Sequence, residues 1–207
     1  MKGADGITRI AICGKLRSGK SLIAEHLVEN HGFHRIAFGD SLKYYADHIF
    51  PHFTEELTAP DEIFGGTRVI GYRKPRTLYQ TFGQMMREID PDIWLYHAER
   101  TIEALSNMRS VKGIVIDDLR QPNEEIWARD NGFTIIRVNA NEDTRLRRAR
   151  ALGDDFKPED LRHETELHID DIEADFDIWN DGEDSEVLHR KIDEIMTKIG
   201  GGLIING

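Results

Sequence analysis

Short apolar runs and helical stripes alternate along this chain almost from end to end. Thr8 to Cys13 (Thr-Arg-Ile-Ala-Ile-Cys) has the character of a short buried strand and runs straight into Gly14. Leu22, Ile23, Leu27 and Val28 then fall at helical spacing between Ser21 and Glu29. His34 to Phe38 predicts a second strand. After it, Leu42, Tyr45, Ala46 and Ile49 share one face of a helix that Asp40 or Ser41 would cap. Between Pro51 and Pro75 the periodicity dissolves into proline, glycine and polar residues, over a stretch longer than an ordinary connection, which we read as an insert.

Helical spacing resumes over Thr77 to Glu88 and, past Asp90-Pro91, from Asp92 to about Met108, the proline suiting a first helical turn. Gly113 to Asp117 is a continuous apolar run ending in acid, and Phe133 to Val138 is a β-branched run. With the helix predicted from Pro122 to Asp130 between them they make a βαβ unit. A helix from Glu142 to Ala151, a polar loop to Arg162, a strand near Phe176 to Asn180 and a helix from Glu183 to Ile199 follow. This alternation predicts an α/β fold of three layers, a mainly parallel sheet with helices on both faces. Phe82, Met85, Met86, Trp127 and Trp179 fall on apolar stripes and are expected in the core.

A chain of 207 residues suits a single domain, with a core over about 7–50 and 110–199, an insert over about 51–109 and a tail over 200–207. No apolar run approaches the roughly 20 residues of a membrane helix, and the N-terminus lacks the apolar stretch of a signal peptide, so a cytoplasmic location is expected. The lone Cys13 forms no internal disulfide and reads as a small core residue. A net charge of −11 argues against a broad basic face for duplex nucleic acid. Within this acidic chain, Arg145, Arg147, Arg148, Arg150, Lys157 and Arg162 form a basic segment suited to a small anionic ligand or, equally, to a solvated helix face. The histidines show no metal-ligand spacing, and a zinc site is not expected.

Gly14-Lys15-Leu16-Arg17-Ser18-Gly19-Lys20-Ser21 fits G-x-x-x-x-G-K-[ST] at every fixed position, between a predicted strand and a predicted helix. Glycine is needed where the backbone curls so that its N–H groups point inward at a phosphate, because a Cβ there would block the approach. Gly14 and Gly19 fill those places. Lys15 and Ser18 join them as nucleotide contacts. Lys20 and Arg17 are the candidate catalytic cations, Ser21 offers its hydroxyl to Mg²⁺, and the helix N-terminus favours the anion. The fold implied is of the P-loop NTPase type, a loop that by itself does not choose between kinase, GTPase and motor ATPase, and the cofactors expected are ATP and Mg²⁺.

Four further segments carry a resemblance. Phe38-Gly39-Asp40-Ser41-Leu42-Lys43, Arg76 to Gly83 with Arg87 and Trp94, Asp118-Leu119-Arg120-Gln121-Pro122-Asn123-Glu124, and His163-Glu164-Thr165-Glu166 together resemble the bacteriophage-type deoxynucleoside monophosphate kinases. The likeness runs from about Ile10 to Ile199, leaves Pro51 to Pro75 unmatched, and is shared more distantly with dephospho-coenzyme A kinase. It implies that Asp40, Lys43, Arg76, Gln80, Arg87 and Arg120 bind the acceptor nucleotide and that a helical insert and a lid over about 145–166 surround the core. His163 and Glu166 match the pattern without a chemical role.

Charge arithmetic points the same way. Donor and acceptor bring several negative charges together, so cations must line the transfer path. Arg76, Gln80 and Arg87 recur at whole turns of one helix, on one face. Asp117 and Asp118 end a strand at the edge where ligands bind in open α/β sheets. The resemblance favours Asp118 for Mg²⁺; the lesser alternative is that Asp118 or Asn123 caps the next helix. Arg145 and Arg148, on one helix face, suit phosphate and adenine contacts made when a lid closes. Asn180-Asp181-Gly182 would let backbone groups approach the adenine. The reading is a (deoxy)nucleoside monophosphate kinase. Its alternatives are a kinase acting on a hydroxyl and a nucleotide-binding switch without transfer activity. Whether the chain acts as a monomer or a homodimer stays open.

Overall fold

The computed structural model describes residues 6–61, 66–73, 75–108, 110–151, 168–182 and 184–201, with backbone alone for 57–61 and 66–73. The chain divides into two compact units, Met1–Phe38 with Ala98–Gly207, and Gly39–His97. The second unit starts and ends earlier in the chain than the insert expected at 51–109.

The first unit is built on five parallel strands in the order β2-β5-β1-β6-β7: β1 (Thr8–Cys13), β2 (Phe33–Ile36), β5 (Gly113–Leu119), β6 (Thr134–Asn139) and β7 (Phe176–Trp179). Around it run α1 (Lys20–His31), α5 (Pro122–Asp130), α6 (Glu142–Ala151) and α7 (Ser185–Gly201). Side chains alternate across a strand, so each strand serves two layers. Ile10, Ile12, Val115, Ile136, Val138 and Ile178 pack with Ile23, Ala24 and Leu27 of α1 and Leu188, Ile192 and Ile195 of α7. The intervening Ile114, Ile116 and Ile135 are fully buried as well. Trp127 of α5 packs edge-on against Phe38 at 5.6 Å and beside Phe133 at 5.5 Å. This is the three-layer α/β arrangement that the alternation predicts.

The second unit contains α2 (Phe38–Ile49) beyond its first residue, the antiparallel hairpin β3 (Glu55–Asp61) and β4 (Gly66–Arg73), α3 (Arg76–Ile89), and α4 (Ile93–Ser106) as far as His97. Its aromatic core links Phe50, Phe82 and Trp94 in succession. Tyr79 donates to Asp47 at 2.9 Å; its phenol is pushed up to about 12, by burial first and by that hydrogen bond second.

Several sequence expectations are corrected. Residues 51–75 contain a paired hairpin; its register shifts between Leu57 and Thr58, which interrupts the two-residue alternation that would mark a strand. Strand β2 stops at Ile36, and Phe38 already begins α2, so Asp40 and Ser41 lie inside the first turn and do not cap it. Leu22, Val28, Tyr45 and Ile49 are exposed, and the buried stripe of α1 is Ile23, Ala24 and Leu27. Met85 (53%) and Trp179 (57%) are exposed, whereas Phe82 and Trp127 are core residues. Helix α5 is capped by neither Asp118 nor Asn123. Glu124 accepts from the N–H groups of Arg120 (2.8 Å) and Gln121 (3.0 Å), with Pro122 opening the helix. Helix α7 extends to Gly201, two residues into the expected tail.

Cys13 is fully buried at the end of β1, and burial pushes its thiol up to about 12 against the smaller opposing pull of Arg137 and Lys20. The thiolate that reacts with electrophiles is then scarce at neutral pH. Native protein is expected to resist iodoacetamide and to be labelled fully in urea. Labelling of native protein at the unfolded rate would show that β1 opens readily.

Candidate active site

Strand β1 occupies the middle of the sheet, with β5 on one side and β6 on the other. The chain leaves β1 toward β2 and later fills the opposite side, so the carboxyl end of β1 is the topological switch point where open sheets bind ligands. The loop after β1 carries the motif residues. Gly14 has φ 147°, and a Cβ there would lie 2.4 Å from the Val138 carbonyl oxygen. Gly19 has φ 110°, and its Cβ would lie 2.3 Å from Asn180 Nδ2. Neither place admits a side chain. Arg17 is the one non-glycine residue with positive φ among the described residues, at 62°, a conformation that costs energy and is held by its surroundings.

The loop is braced from β7 and α6. Asn180, nearly buried, donates from Nδ2 to the Ser18 carbonyl at 2.8 Å. Arg148 donates to the carbonyls of Arg17 (3.3 Å) and Gly182 (2.6 Å) and to Asn180 Oδ1 (3.4 Å). Lys15 pairs with Asp170 at 2.5 Å. Arg145 is 6% exposed, with Nη1 3.5 Å from the Leu16 carbonyl, at the limit of a hydrogen bond. Its Nε–H has no acceptor among the described residues, and neither has the buried Ser18 hydroxyl. Lys20 is 9% exposed and donates to the carbonyls of Gly14 and, at 3.0 Å, Lys15. It is not the solvent-facing lysine that a bare surface loop would present; the loop's own carbonyls hold it in place.

Two acids stand beside the loop. From Ala11↔Ile116 to Cys13↔Leu119 strand β1 advances two residues while β5 advances three, so β5 bulges at Asp117 and Asp118. The bulge breaks the two-residue alternation that would otherwise assign their faces, and β5 runs on to Leu119 past its expected end at Asp117. Asp117 is buried and held by Arg35 of β2: Nε donates to Oδ2 at 2.9 Å. Nη2 approaches Oδ1 to 2.9 Å as an ion-pair contact without hydrogen-bond alignment. Arg35 carried no motif; only pairing of β2 with β5 brings it there. Asp118 is half-buried and accepts the Phe38 N–H at 2.9 Å, satisfying an orphan donor at the start of α2.

The first unit thus brings Gly14, Lys15, Arg17, Ser18, Gly19, Lys20, Ser21, Arg145, Arg148 and Asn180 to one loop, with Asp117, Asp118 and Arg120 on the neighbouring strand end. Contacts of Arg145 and Arg148 with the loop exist in this structure and do not await lid closure; Asn180 braces the loop through its side chain. Asp40, Lys43, Arg76, Gln80 and Arg87 belong to the second unit. There Asp40, Lys43 and Arg76 are exposed and Gln80 and Arg87 half-buried, and an Arg87 Nη1 lies 3.5 Å from the Cβ position of Gly83, one turn back on α3. His163, Glu166 and the lid beyond Ala151 lie outside the described residues.

A glycine cradle that excludes any Cβ, a lysine within it and buried polar groups left over for an anion are what a bound nucleotide triphosphate requires, and they fit one. Ser21 and the acids of β5 supply oxygen donors suited to Mg²⁺. A loop of this kind between the central parallel strand and α1 defines a protein of the P-loop kinase fold. The chain belongs to the AAA domain family, whose profile matches residues 10–168. Solved structures agree on the fold. TT1252 from Thermus thermophilus is 18% identical, with 97% of this chain and 99% of that one covered and a TM-score of 0.58. Shikimate kinase from Acinetobacter baumannii is 12% identical, with 97% of both chains covered and a TM-score of 0.53. Dephospho-CoA kinase from Campylobacter jejuni is 14% identical, with 94% and 98% covered and a TM-score of 0.53. No curated protein matches. Among the described residues no helix is long and apolar enough to cross a membrane.

Proposed function

We propose that this chain transfers the γ-phosphate of ATP to a (deoxy)nucleoside monophosphate, giving ADP and the (d)NDP, with Mg²⁺ as cofactor. The observation that carries the transfer reading is Arg145, a buried guanidinium against the phosphate loop whose Nε–H has no acceptor among the described residues. A pure switch has no need of such a group, because it stabilises charge that shifts during transfer. Lys20 and the loop amides bind the β- and γ-phosphates. Arg17 and Arg145 offset charge on the transferring group, and Arg148 and Asn180 fix the loop's shape. Ser21 and Asp118 would hold Mg²⁺, which neutralises phosphate charge when bound.

The nucleotide acceptor rests on the resemblance and on Arg76, Gln80 and Arg87 recurring along one face of α3. An arginine fork suits an acceptor phosphate, and Gln80, both donor and acceptor, suits a base edge. Asp40, Lys43 and Arg120 complete the proposed set. A phosphate acceptor is already anionic at neutral pH and needs no general base, whereas a hydroxyl usually does.

The test is a panel of NMPs and dNMPs, modified bases included, beside dephospho-CoA, shikimate and gluconate, read by chromatography with ATP and Mg²⁺. ADP formation is expected to depend on one or a few nucleoside monophosphates. Arg76→Ala or Arg87→Ala is expected to cut kcat/KM for that acceptor by about tenfold or more, and Gln80→Leu to reorder the bases. Transfer to a hydroxyl compound alone, or hydrolysis indifferent to every acceptor, would overturn the assignment.

A further inference from the structure

At the far end of α1 from the phosphate loop, two histidines converge on one carboxylate. His26 Nε2 is 2.8 Å and His31 Nε2 2.7 Å from the same oxygen, Asp193 Oδ1 on α7. The ligand atoms of the three residues all lie within 4.8 Å of one another. We propose that His26, His31 and Asp193 bind one divalent transition-metal ion of the zinc type, fastening the C-terminal end of α1 to α7.

The donor set suits such an ion. Two imidazole nitrogens and one carboxylate oxygen make up three of the four ligands of a tetrahedral zinc site and leave one position for water. Ligand atoms at about 2.0–2.1 Å from zinc are roughly 3.3 Å apart, so the two nitrogen–oxygen separations must open by only about half an ångström. The His26 and His31 rings are inclined at 57° with centroids 5.6 Å apart, which lets their nitrogens approach one point from different sides.

The surroundings already hold the ligands. His189 of α7 stacks on His26 at 4.3 Å and fixes its ring plane. Asn30, one turn on along α1, lies with Nδ2 3.2 Å from His26 Nδ1 and donates to the His26 carbonyl at 3.3 Å, which further confines the ring. His31 is the last residue of α1, where the helix dipole favours a cation. The His26 side chain is 10% exposed, which limits its freedom, and Asp193 is 48% exposed, which leaves an entry path. His31 stands eleven residues from Lys20 on α1, about 16 Å along the helix, so the site is separate from the one proposed for Mg²⁺. Sequence spacing missed it because the carboxylate comes from α7 and the histidines are five apart, off the usual i, i+4 pattern.

The measurement uses the full, tag-free chain after chelator treatment, titrated with zinc alone against a chromophoric chelator in excess Mg²⁺, with Co²⁺ absorption as a second probe. One zinc per chain at micromolar concentration is expected, with a melting temperature that rises with zinc and visible Co²⁺ bands of tetrahedral intensity. His31→Gln, at the partly exposed helix end, and Asp193→Asn are each expected to weaken zinc binding by about tenfold or more, while Lys20→Ala leaves it unchanged. Melting without zinc identifies any variant that fails to fold, and His31→Gln then carries the test. No binding at micromolar zinc, or binding untouched in folded His31→Gln protein, would mean that the cluster is a hydrogen-bonded ion pair only.

Discussion

Lys20→Ala is expected to lower phosphoryl transfer by roughly a thousandfold, the scale of losing a positioned group that stabilises developing charge. The ammonium is nearly buried and donates to the Gly14 and Lys15 carbonyls, so it already occupies the loop before any phosphate arrives. Alanine removes the cation and leaves two carbonyls without their donor, a cost of about 1–3 kcal/mol if water does not replace it. Relief of a desolvated charge offsets part of that, so the melting temperature should fall modestly and the far-UV spectrum should stay native. Single-turnover transfer measured beside thermal unfolding separates the two effects. Near wild-type turnover in the variant would remove Lys20 from the chemistry.

Arg145→Ala has the second largest expected effect, and its signature is a contrast. In the free protein Arg145 is a buried cation that, among the described residues, makes one long hydrogen bond, to the Leu16 carbonyl, and leaves its Nε–H without an acceptor. Burying such a group is costly, so its removal should leave the melting temperature of the free protein unchanged or raise it. The rise in melting temperature that ATP produces should shrink, and kcat/KM for ATP should fall by about a hundredfold or more. Lysine should not restore the activity, because a point charge lacks the planar fork. Arg148→Ala should behave in the opposite way. Its hydrogen bonds to Arg17, Asn180 and Gly182 brace the free protein, which should melt earlier without it. If Arg145→Ala destabilised the free protein as much as Arg148→Ala, Arg145 would be a brace as well.

The two residues stand three apart on α6 and are alike in sequence. Which acceptors each one meets depends on the carbonyls that the segment after β7 and the glycine loop bring to it. The same division runs through the site. Gly14, Gly19, Lys20 and Ser21 are legible because the motif fixes their spacing within one short loop, where neighbours in sequence are neighbours in space. Arg35 is illegible because its partner Asp117 is 82 residues away. Asp117 and Asp118 are legible as a pair but not as individuals, since the bulge in β5 interrupts the alternation on which such an assignment depends.

The sequence alone determined the order of strands and helices outside residues 51–75, the α/β class and the phosphate loop. Buried parallel strands need unbroken apolar runs, core-facing helices need apolar residues at helical spacing, and a phosphate cradle needs glycine where a Cβ cannot fit. Tertiary structure decided what depends on pairing and packing. It joined residues 55–73 into a hairpin with a shifted register, exposed Trp179 and Met85, set Arg35 on Asp117, and gathered His26, His31 and Asp193 from two helices. A side chain's partner across a sheet or between helices is fixed by strand order and packing, which local periodicity does not record.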